Sequence, residues 1–458
     1  MKPLSNLPKL VSPWNGFTIS KLVDSASRTR ASDIVFVDAP DTSTWLHRPA
    51  RSLTYLALSK EARRFASQMM TLGLKRGEAI MLMLPNAVEF PIACLGAMLA
   101  GMIPVPVAVG TPAERLRIIA ELTNAKAIVT VSKLADLDLA STARDLAAQV
   151  FSIRAVASFG AASFEPTSFE PTSFERTSFE HDVPSGVVSL DDWDEADLTP
   201  TESFSNLETD DINLISVEFI GDMPRALART QSQLIAEAMA LSSTAQISSK
   251  TSLVSTIIPN SAFSFISSIV LPILVRAQMH FHGVFSSKTL IQQIKASPHT
   301  CLIMPFAAEE GLSELNPDVQ QNIHSCIFLH RLENNSISHT TFLSKNSVDV
   351  TAIGEAAHLA IPRKAKTMRS ALPQNWRQPG LRIVEGDILL VKSTIDECNC
   401  LSLSGFGVAS EVNTPVGSSM EGELTTEFYA QNNEGQTFTT FEKMDEMNVF
   451  ELNKKSAA

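Results

Sequence analysis

The chain has 458 residues, of which 44% are hydrophobic and 19% are charged, so it is long and apolar enough to bury a large core. Its formal net charge is -12 and its isoelectric point is about 5.3. Because no basic excess is present to neutralise phosphates, this composition argues against nucleic acid or an anionic membrane as the main partner.

The cysteines indicate reduced thiols. There are five, at positions Cys94, Cys301, Cys326, Cys398 and Cys400. Residues 1–15 carry two lysines but no apolar segment typical of a secretory signal. We therefore expect a cytoplasmic location. The last two cysteines lack a second pair or a histidine at ligand spacing, so no metal site is predicted.

The first half of the chain alternates helical and strand patterns. Apolar spacing predicts helices over residues 54–74 and 113–123. Short β-rich runs predict strands over residues 78–84 and 127–131. Repeated units of this kind favour a doubly wound α/β sheet.

One segment imitates a membrane span, because residues 90–110 carry no charge and are long enough to cross a bilayer. Pro104 and Pro106 would interrupt a membrane helix and favour an extended chain. We therefore predict a buried helix over residues 90–101, a buried strand over residues 103–108, and no membrane span.

The pattern breaks at a low-complexity insert, which we place at residues 159–210. Within it, the motif Ser-Phe-Glu-Pro-Thr repeats from Ser163 to Glu180 with a period of five, which matches neither a helix nor a strand. Its prolines and hydroxyl residues, and the acidic residues 191–197 that follow, predict an exposed, disordered loop. A binding motif built on the repeated phenylalanines and the slippage of a repeated gene segment are both open explanations.

Three motifs lie in order within residues 52–131: Leu-Lys-Arg-Gly-Glu-Ala-Ile at 74–80, Leu-Pro-Asn-Ala-Val-Glu-Phe at 84–90, and Ala-Gly-Met-Ile-Pro-Val-Pro at 100–106. Together they resemble the N-terminal lobe of the adenylate-forming (ANL) superfamily. This superfamily includes acyl- and aryl-CoA synthetases, luciferases and peptide-synthetase adenylation domains. A weaker similarity continues toward the C-terminus.

The resemblance implies an α/β fold of several subdomains, with doubly wound sheets and a small C-terminal β-rich subdomain. Residues 1–380 would form the AMP-binding-enzyme-like lobes. Residues 381–455 would form the β-rich subdomain and end at the family hinge, which residues 448–455 resemble. The C-terminal lid domain of the family, whose lysine stabilises the adenylation transition state, would be absent.

Residues 216–226 stand where the family has its phosphate-binding loop. Such a loop needs glycines whose N–H groups turn toward the anion, small hydroxyl residues and a cation. Only Gly221 and Arg225 remain from this set. Glu218 would place a carboxylate among phosphate oxygens, where like charges repel. The sequence therefore predicts a degenerate ATP site.

The register of this segment is set by residues 223–226 and 230–234, which look like the family motifs x-Pro-Lys-Gly and Thr-His-x-x-Leu. Thr230 then stands at the family threonine. A strand, a turn and a helix capped by Thr230 or Ser232 would explain the same residues without any nucleotide.

Other nucleotide elements of the family are also altered. A strand predicted over residues 254–259 is followed by no histidine before His280, although the family has an active-site histidine there. Gly354 and Glu355 stand in the adenine motif, where alanines replace the threonine that touches phosphate and the glutamate that coordinates Mg²⁺. Glu355 would be either a displaced ligand or an exposed loop carboxylate. Glu442 stands where the family carboxylate binds the ribose hydroxyls.

These substitutions predict a non-catalytic or weakly active homologue of acyl- and aryl-acid adenylating ligases, with no cofactor and no catalytic residue. It would act as a binding or scaffolding module that docks with a competent paralogue or with an acyl-carrier or CoA-dependent enzyme. The alternative is a divergent acyl-AMP or acyl-CoA ligase that uses ATP and Mg²⁺ through Arg225, Glu355 and Glu442, with a lid supplied by another subunit. A folded remnant without a role is a third possibility.

Overall fold

The structure is a computed structural model that describes residues 18–160, 184–191, 193, 211–220, 223–331, 346–363, 392–395, 400–404, 408–412, 423–431 and 440–443. The helices of this part are α1 (Ile19–Thr29), α2 (Thr42–Leu46), α3 (Tyr55–Thr71), α4 (Glu89–Leu99), α5 (Ala113–Thr123), α6 (Leu139–Ala147), α7 (Gln231–Ala245), α8 (Ala262–Phe265), α9 (Leu271–Val275), α10 (Ser287–Lys295), α11 (Glu309–Ser313) and α12 (Pro317–Gln320). A π-helical turn, Ile266–Val270, joins α8 to α9, and a 3-10 turn, Phe306–Ala308, precedes α11.

The strands in the same part are β1 (Ile34–Val37), β2 (Ser52–Thr54), β3 (Ala79–Met83), β4 (Ile103–Pro106), β5 (Ala127–Val131), β6 (Lys133–Leu134), β7 (Leu137–Asp138), β8 (Ala155–Phe159), β9 (Val188–Ser189), β10 (Ile212–Ile220), β11 (Met223–Thr230), β12 (Ser252–Ser255), β13 (Gln278–Phe281), β14 (Thr300–Pro305), β15 (Ile323–Arg331), β16 (Val348–Ile353), β17 (Ala357–Pro362), β18 (Lys392–Ile395), β19 (Cys400–Ser404), β20 (Ser410–Glu411), β21 (Glu423–Gln431) and β22 (Thr440–Lys443).

A five-stranded parallel sheet in the order β4-β3-β5-β8-β9 carries the region with the strongest sequence motifs. All residues of β3, β4 and β5 are buried, as expected for parallel strands covered on both faces. The helix and strand predicted for the uncharged segment are α4 and β4. In the described residues no helix is both long and apolar enough to cross a membrane.

A larger sheet runs in the order β17-β16-β15-β14-β12-β13-β1-β2. Its strands are parallel except at the two edges, where β2 and β17 are antiparallel to their neighbours. Together with the five-stranded sheet it confirms the predicted α/β class with doubly wound sheets. A separate antiparallel sheet in the order β18-β19-β21-β22 lies within residues 392–443.

Two sequence expectations need correction. The segment expected to be a phosphate loop is a long antiparallel hairpin of β10 and β11, in which Glu218 pairs with Arg225 and Phe219 with Pro224. The apolar and β-branched residues of β10 supply the β pattern, and β20 pairs with β11. The strand predicted over residues 254–259 ends at Ser255, since Pro259 and its neighbours leave the sheet.

The segment assigned to the insert is described in part. Residues 184–191 contain β9, which pairs in parallel with β8 and extends the five-stranded sheet, so these residues differ from the expected disordered loop. The five-residue repeat, Cys398 and the hinge motif lie outside the described residues.

Candidate functional site

A cleft of about 690 Å³ lies where the carboxyl ends of parallel strands from both sheets meet. Its walls are formed by residues that follow β3, β4, β12, β13 and β16, together with the end of β15 and the middle of β10. In open α/β sheets this edge is the usual place for a ligand, because loops that leave several strands converge there. Topology thus makes the cleft the candidate functional site.

Glu218 lies inside this cleft and contacts the loop after β16. Its Oε2 atom accepts a hydrogen bond of 2.6 Å from the backbone N–H of Glu355. Gly354 has a φ of +52°, and a Cβ atom at this position would stand 2.1 Å from the same oxygen. Glycine is therefore required both by the backbone conformation and by the close approach of the carboxylate. An anion supplied by the chain itself thus occupies the backbone donor of this turn.

Arg225, the cation expected to replace the phosphate-binding lysine, turns toward carboxylates. Its Nη1 atom lies 3.8 Å from Oε1 of Glu218, and its Nε atom lies 3.2 Å from Oε2 of Glu411. Its side chain is largely buried between them and is not part of the cleft wall. The register of the hairpin therefore places this guanidinium in an internal ion-pair cluster with Glu218 and Glu411.

Glu355 lines the cleft but is not the exposed loop carboxylate that the sequence suggested, since only 8% of the residue is exposed. Its Oε2 atom accepts a hydrogen bond of 2.8 Å from the backbone N–H of Ala262. That N–H is an unsatisfied donor at the start of α8, so the carboxylate caps a helix N-terminus.

Thr230 also has a capping role. Its hydroxyl accepts from the N–H of Gln233, and the side chain of Gln233 accepts in return from the N–H of Thr230, which forms a capping box at the start of α7. This geometry agrees with the interpretation of a helix cap that needs no nucleotide.

A buried charged network, which sequence reasoning missed, holds the loop after β16 on the side away from the Glu218 carboxylate. Arg229 is 1% exposed; its Nη1 atom donates to the carbonyl of Glu355 at 2.8 Å and its Nε atom to Glu237 at 3.0 Å. Glu237 also contacts Nδ1 of His358 at 2.7 Å. Burial opposes ionisation of Glu237, but the adjacent Arg229 and His358 outweigh it and hold its pKa below the ordinary value. The Glu355 backbone is therefore bonded through its N–H to Glu218 and through its carbonyl to Arg229.

His282 was also missed, because it comes 27 residues after the end of β12 at Ser255 and the histidine was sought directly after that strand. It lines the cleft, is 1% exposed, and accepts at Nε2 from the N–H of Ser286 at 3.1 Å. Its Nδ1 atom faces Oε1 of Gln293 at 2.8 Å and must carry the proton. Burial lowers the pKa of His282, so the ring is neutral and fixed in one tautomer. Both nitrogens serve structural bonds.

The remaining predicted residues are placed only in part. Gly221 lies outside the described residues. Glu442 lies on β22, opposite Tyr429 of β21. The described residues contain no cluster of three or more His, Cys, Asp or Glu side chains with the geometry to hold a metal ion.

Comparison with known proteins agrees with this architecture. Residues 24–200 match the family of AMP-binding enzymes. A salicyl-AMP ligase / salicyl-S-ArCP synthetase of Mycobacterium tuberculosis is 30% identical over 144 residues, which are 31% of this chain and 24% of that protein. The chain thus matches just under a quarter of the length of that curated relative.

Solved structures share the fold over most of the chain. The apo structure of MbtA from Mycobacterium smegmatis aligns with a TM-score of 0.67 at 17% identity, covering 94% of this chain and 76% of that one. A benzoate CoA ligase from Burkholderia xenovorans aligns with a TM-score of 0.64 at 14% identity, covering 94% of this chain and 80% of that one. The fold is that of adenylate-forming ligases. The family match itself is confined to residues 24–200 of this fold.

Proposed function

We propose that this protein is a non-catalytic or weakly active homologue of acyl- and aryl-acid adenylating ligases that serves as a binding or scaffolding module. The observation that carries the proposal is the hydrogen bond from the Glu355 N–H to the Glu218 carboxylate inside the cleft. A backbone donor that could receive an anionic ligand is already occupied by an anion of the chain.

ATP with Mg²⁺ does not fit the described residues at this end of the cleft. Phosphate oxygens need converging donors and cations, whereas Glu218 and Glu355 present carboxylates here and Arg225 is engaged with Glu218 and Glu411. Two unit charges of the same sign 4 Å apart repel by about 4 kcal/mol near a protein surface. The residues at this end of the cleft therefore do not support an adenylation step.

A binding role is supported by the cleft itself. Its walls are held by buried networks on both sides of Glu355, so the cavity is preformed at the edge of the sheets where a ligand is expected. Docking with a competent paralogue, or with an acyl-carrier or CoA-dependent enzyme, is the form of scaffolding that we propose.

ATP–pyrophosphate exchange with a panel of acyl and aryl acids tests this function. We expect no exchange above background from the full chain, while an active salicyl-AMP ligase assayed beside it with salicylate provides the positive control. Exchange by the unmodified chain with any acid of the panel would reject the proposal in favour of a divergent ligase that uses ATP.

A further inference from the structure

A second cavity, of about 460 Å³, lies apart from the cleft, and none of its described lining residues belongs to the cleft wall. It is enclosed by α3, the start of α4, the residues just before β2, the end of β8 and the residues that follow β9. Both polar and apolar side chains line it. The cavity is therefore a separate candidate site, and the proposed function assigns it no ligand.

Two polar side chains of this cavity, Arg64 and Gln68, lie side by side on α3, because residues four apart in a helix share one face. Both are anchored to consecutive carbonyl groups after β9. The Nε2 atom of Gln68 donates to the carbonyl of Leu190 at 2.6 Å. The Nη2 atom of Arg64 donates to the carbonyl of Asp191 at 3.1 Å. These bonds fix the orientation of both side chains at the cavity wall.

Each anchored side chain keeps one hydrogen-bonding atom for a ligand. Because the amide nitrogen of Gln68 is engaged, its Oε1 atom is the group that remains. This oxygen accepts no hydrogen bond from the residues that the structure describes, yet it is not sealed from the cavity. The Nη1 atom of Arg64 is an accessible donor in the same situation. The cavity thus presents an acceptor and a donor on successive turns of α3.

The charges of the lining balance one another. It contains three arginines and three carboxylates: Arg48, Arg51, Arg64, Glu61, Glu89 and Asp191. Arg48 pairs with Glu89 at 2.5 Å, and Arg51 pairs with Glu61 at 2.5 Å. Asp38 contacts Arg48 from outside the lining at 2.6 Å, and burial raises the pKa of its carboxyl group. A charged ligand would lose its hydration here without meeting a net opposite charge, whereas an uncharged ligand loses less.

We infer that this second cavity binds a small, uncharged aromatic carboxamide. The amide carbonyl accepts from Nη1 of Arg64 and the amide N–H donates to Oε1 of Gln68, so one planar group satisfies both atoms. The aromatic ring packs against Pro49 and Phe159, the apolar lining residues that are not fully buried. The ligand matches the free donor and acceptor and adds no charge to a balanced site.

Three ligands of the same shape test the inference on the full chain: benzamide, benzoate and benzamidine, which differ in the charge of the polar group. Ligand-observed NMR titration measures their dissociation constants. We expect benzamide to bind about tenfold more tightly than either charged ligand, because each charged group must be desolvated without compensation. Equal affinities, preference for a charged ligand, or no detectable binding of benzamide would overturn the inference.

Two variants of adjacent arginines on α3 locate the site. Arg64→Met removes the donor at the cavity and should weaken benzamide binding about tenfold. Arg63→Met is the matched control, since Arg63 pairs with Asp24 at 2.8 Å and is not part of the described lining, and it should bind benzamide as the wild type does. Thermal unfolding verifies that both variants are folded.

Equal benzamide affinity in the two folded variants would place the ligand elsewhere, for example in the cleft, and would overturn the inference. Pyrophosphate exchange tests the proposed function independently of this titration, because the two cavities share no described lining residue.

Discussion

The five-stranded sheet and the β10–β11 hairpin are stabilised by different forces. The sheet buries nearly continuous apolar strands against helices such as α4, which packs on α3, where Phe65 is 1% exposed. The hairpin is tied to its surroundings through charged side chains: Glu218 to the Gly354 turn, and Arg229 to Glu237 and to the carbonyl of Glu355. The first region is specified by burial, whereas the second also buries residues such as Leu214 and Ile215 but depends in addition on individual polar contacts.

This difference predicts which region tolerates substitutions and which region is sensitive to them. Apolar cores accept many substitutions that conserve volume, but a buried charge that loses its partner is strongly destabilising. The candidate site lies on the charged region, so its shape depends on a few atoms.

The largest effect is expected in the sheet region. Phe65→Ala removes a buried ring that stacks on Phe159 with centroids 6.1 Å apart, so the free energy of unfolding should fall by about 3 to 5 kcal/mol. Phe151→Ala is the matched control, because Phe151 is fully exposed, and it should change stability by less than about 0.5 kcal/mol. Urea unfolding of both variants measures the contrast. Equal effects would contradict the assignment of the core.

Arg229→Met tests whether charge holds the hairpin. Methionine preserves much of the volume but leaves Glu237 buried without its guanidinium, so we expect a loss of about 3 kcal/mol. Arg117→Met removes an exposed arginine that pairs with Glu114 and Glu121, and it should cost less than about 1 kcal/mol. If the two losses measured by urea unfolding were alike, the buried network would not hold the hairpin.

A double-mutant cycle isolates the contact between Glu218 and Gly354. Gly354→Ala should cost about 2 kcal/mol, because alanine meets the carboxylate and must adopt a positive φ. In a Glu218→Ala background the same change should cost only about 1 kcal/mol, which is the cost of the positive φ alone. Strict additivity of the two substitutions, measured by thermal or urea unfolding, would show that the carboxylate does not lie against this turn.

The smallest effect concerns pH. Burial lowers the pKa of His280 to about 4, from an ordinary value of about 6.5. The unfolded chain therefore binds a proton before the folded chain does, and this contribution to stability is complete above pH 6.5 and is lost as the pH falls toward 4. Between pH 7 and pH 5 the wild-type protein should lose roughly 1 kcal/mol more of its free energy of unfolding than His280→Gln does, allowing for partial exposure of the ring. Identical pH profiles of unfolding for variant and wild type would refute this.

The sequence predicts the structure of the sheet region better than that of the hairpin, because local patterns specify the first and contacts distant in sequence specify the second. The helix predicted over residues 113–123 coincides with α5, and the prolines at 104 and 106 correctly predicted the extended strand β4, because periodicity and proline geometry act locally. Residues 216–226 were expected to form a loop, since the resemblance to the family outweighed the largely alternating apolar pattern of residues 212–220. The bond between Glu218 and the Glu355 N–H spans 137 positions, and no local pattern predicts such a contact.

The measurement that tests the central claim most directly is a calorimetric titration of the full chain with ATP and Mg²⁺. Because the Glu218 carboxylate occupies the backbone donor beside Gly354, the dissociation constant should be millimolar or weaker, which corresponds to a binding free energy of about -4 kcal/mol or less favourable. Glu218→Gln, which keeps the side-chain volume without the charge, should bind ATP more tightly than wild type. A micromolar dissociation constant for the unmodified chain would contradict the account.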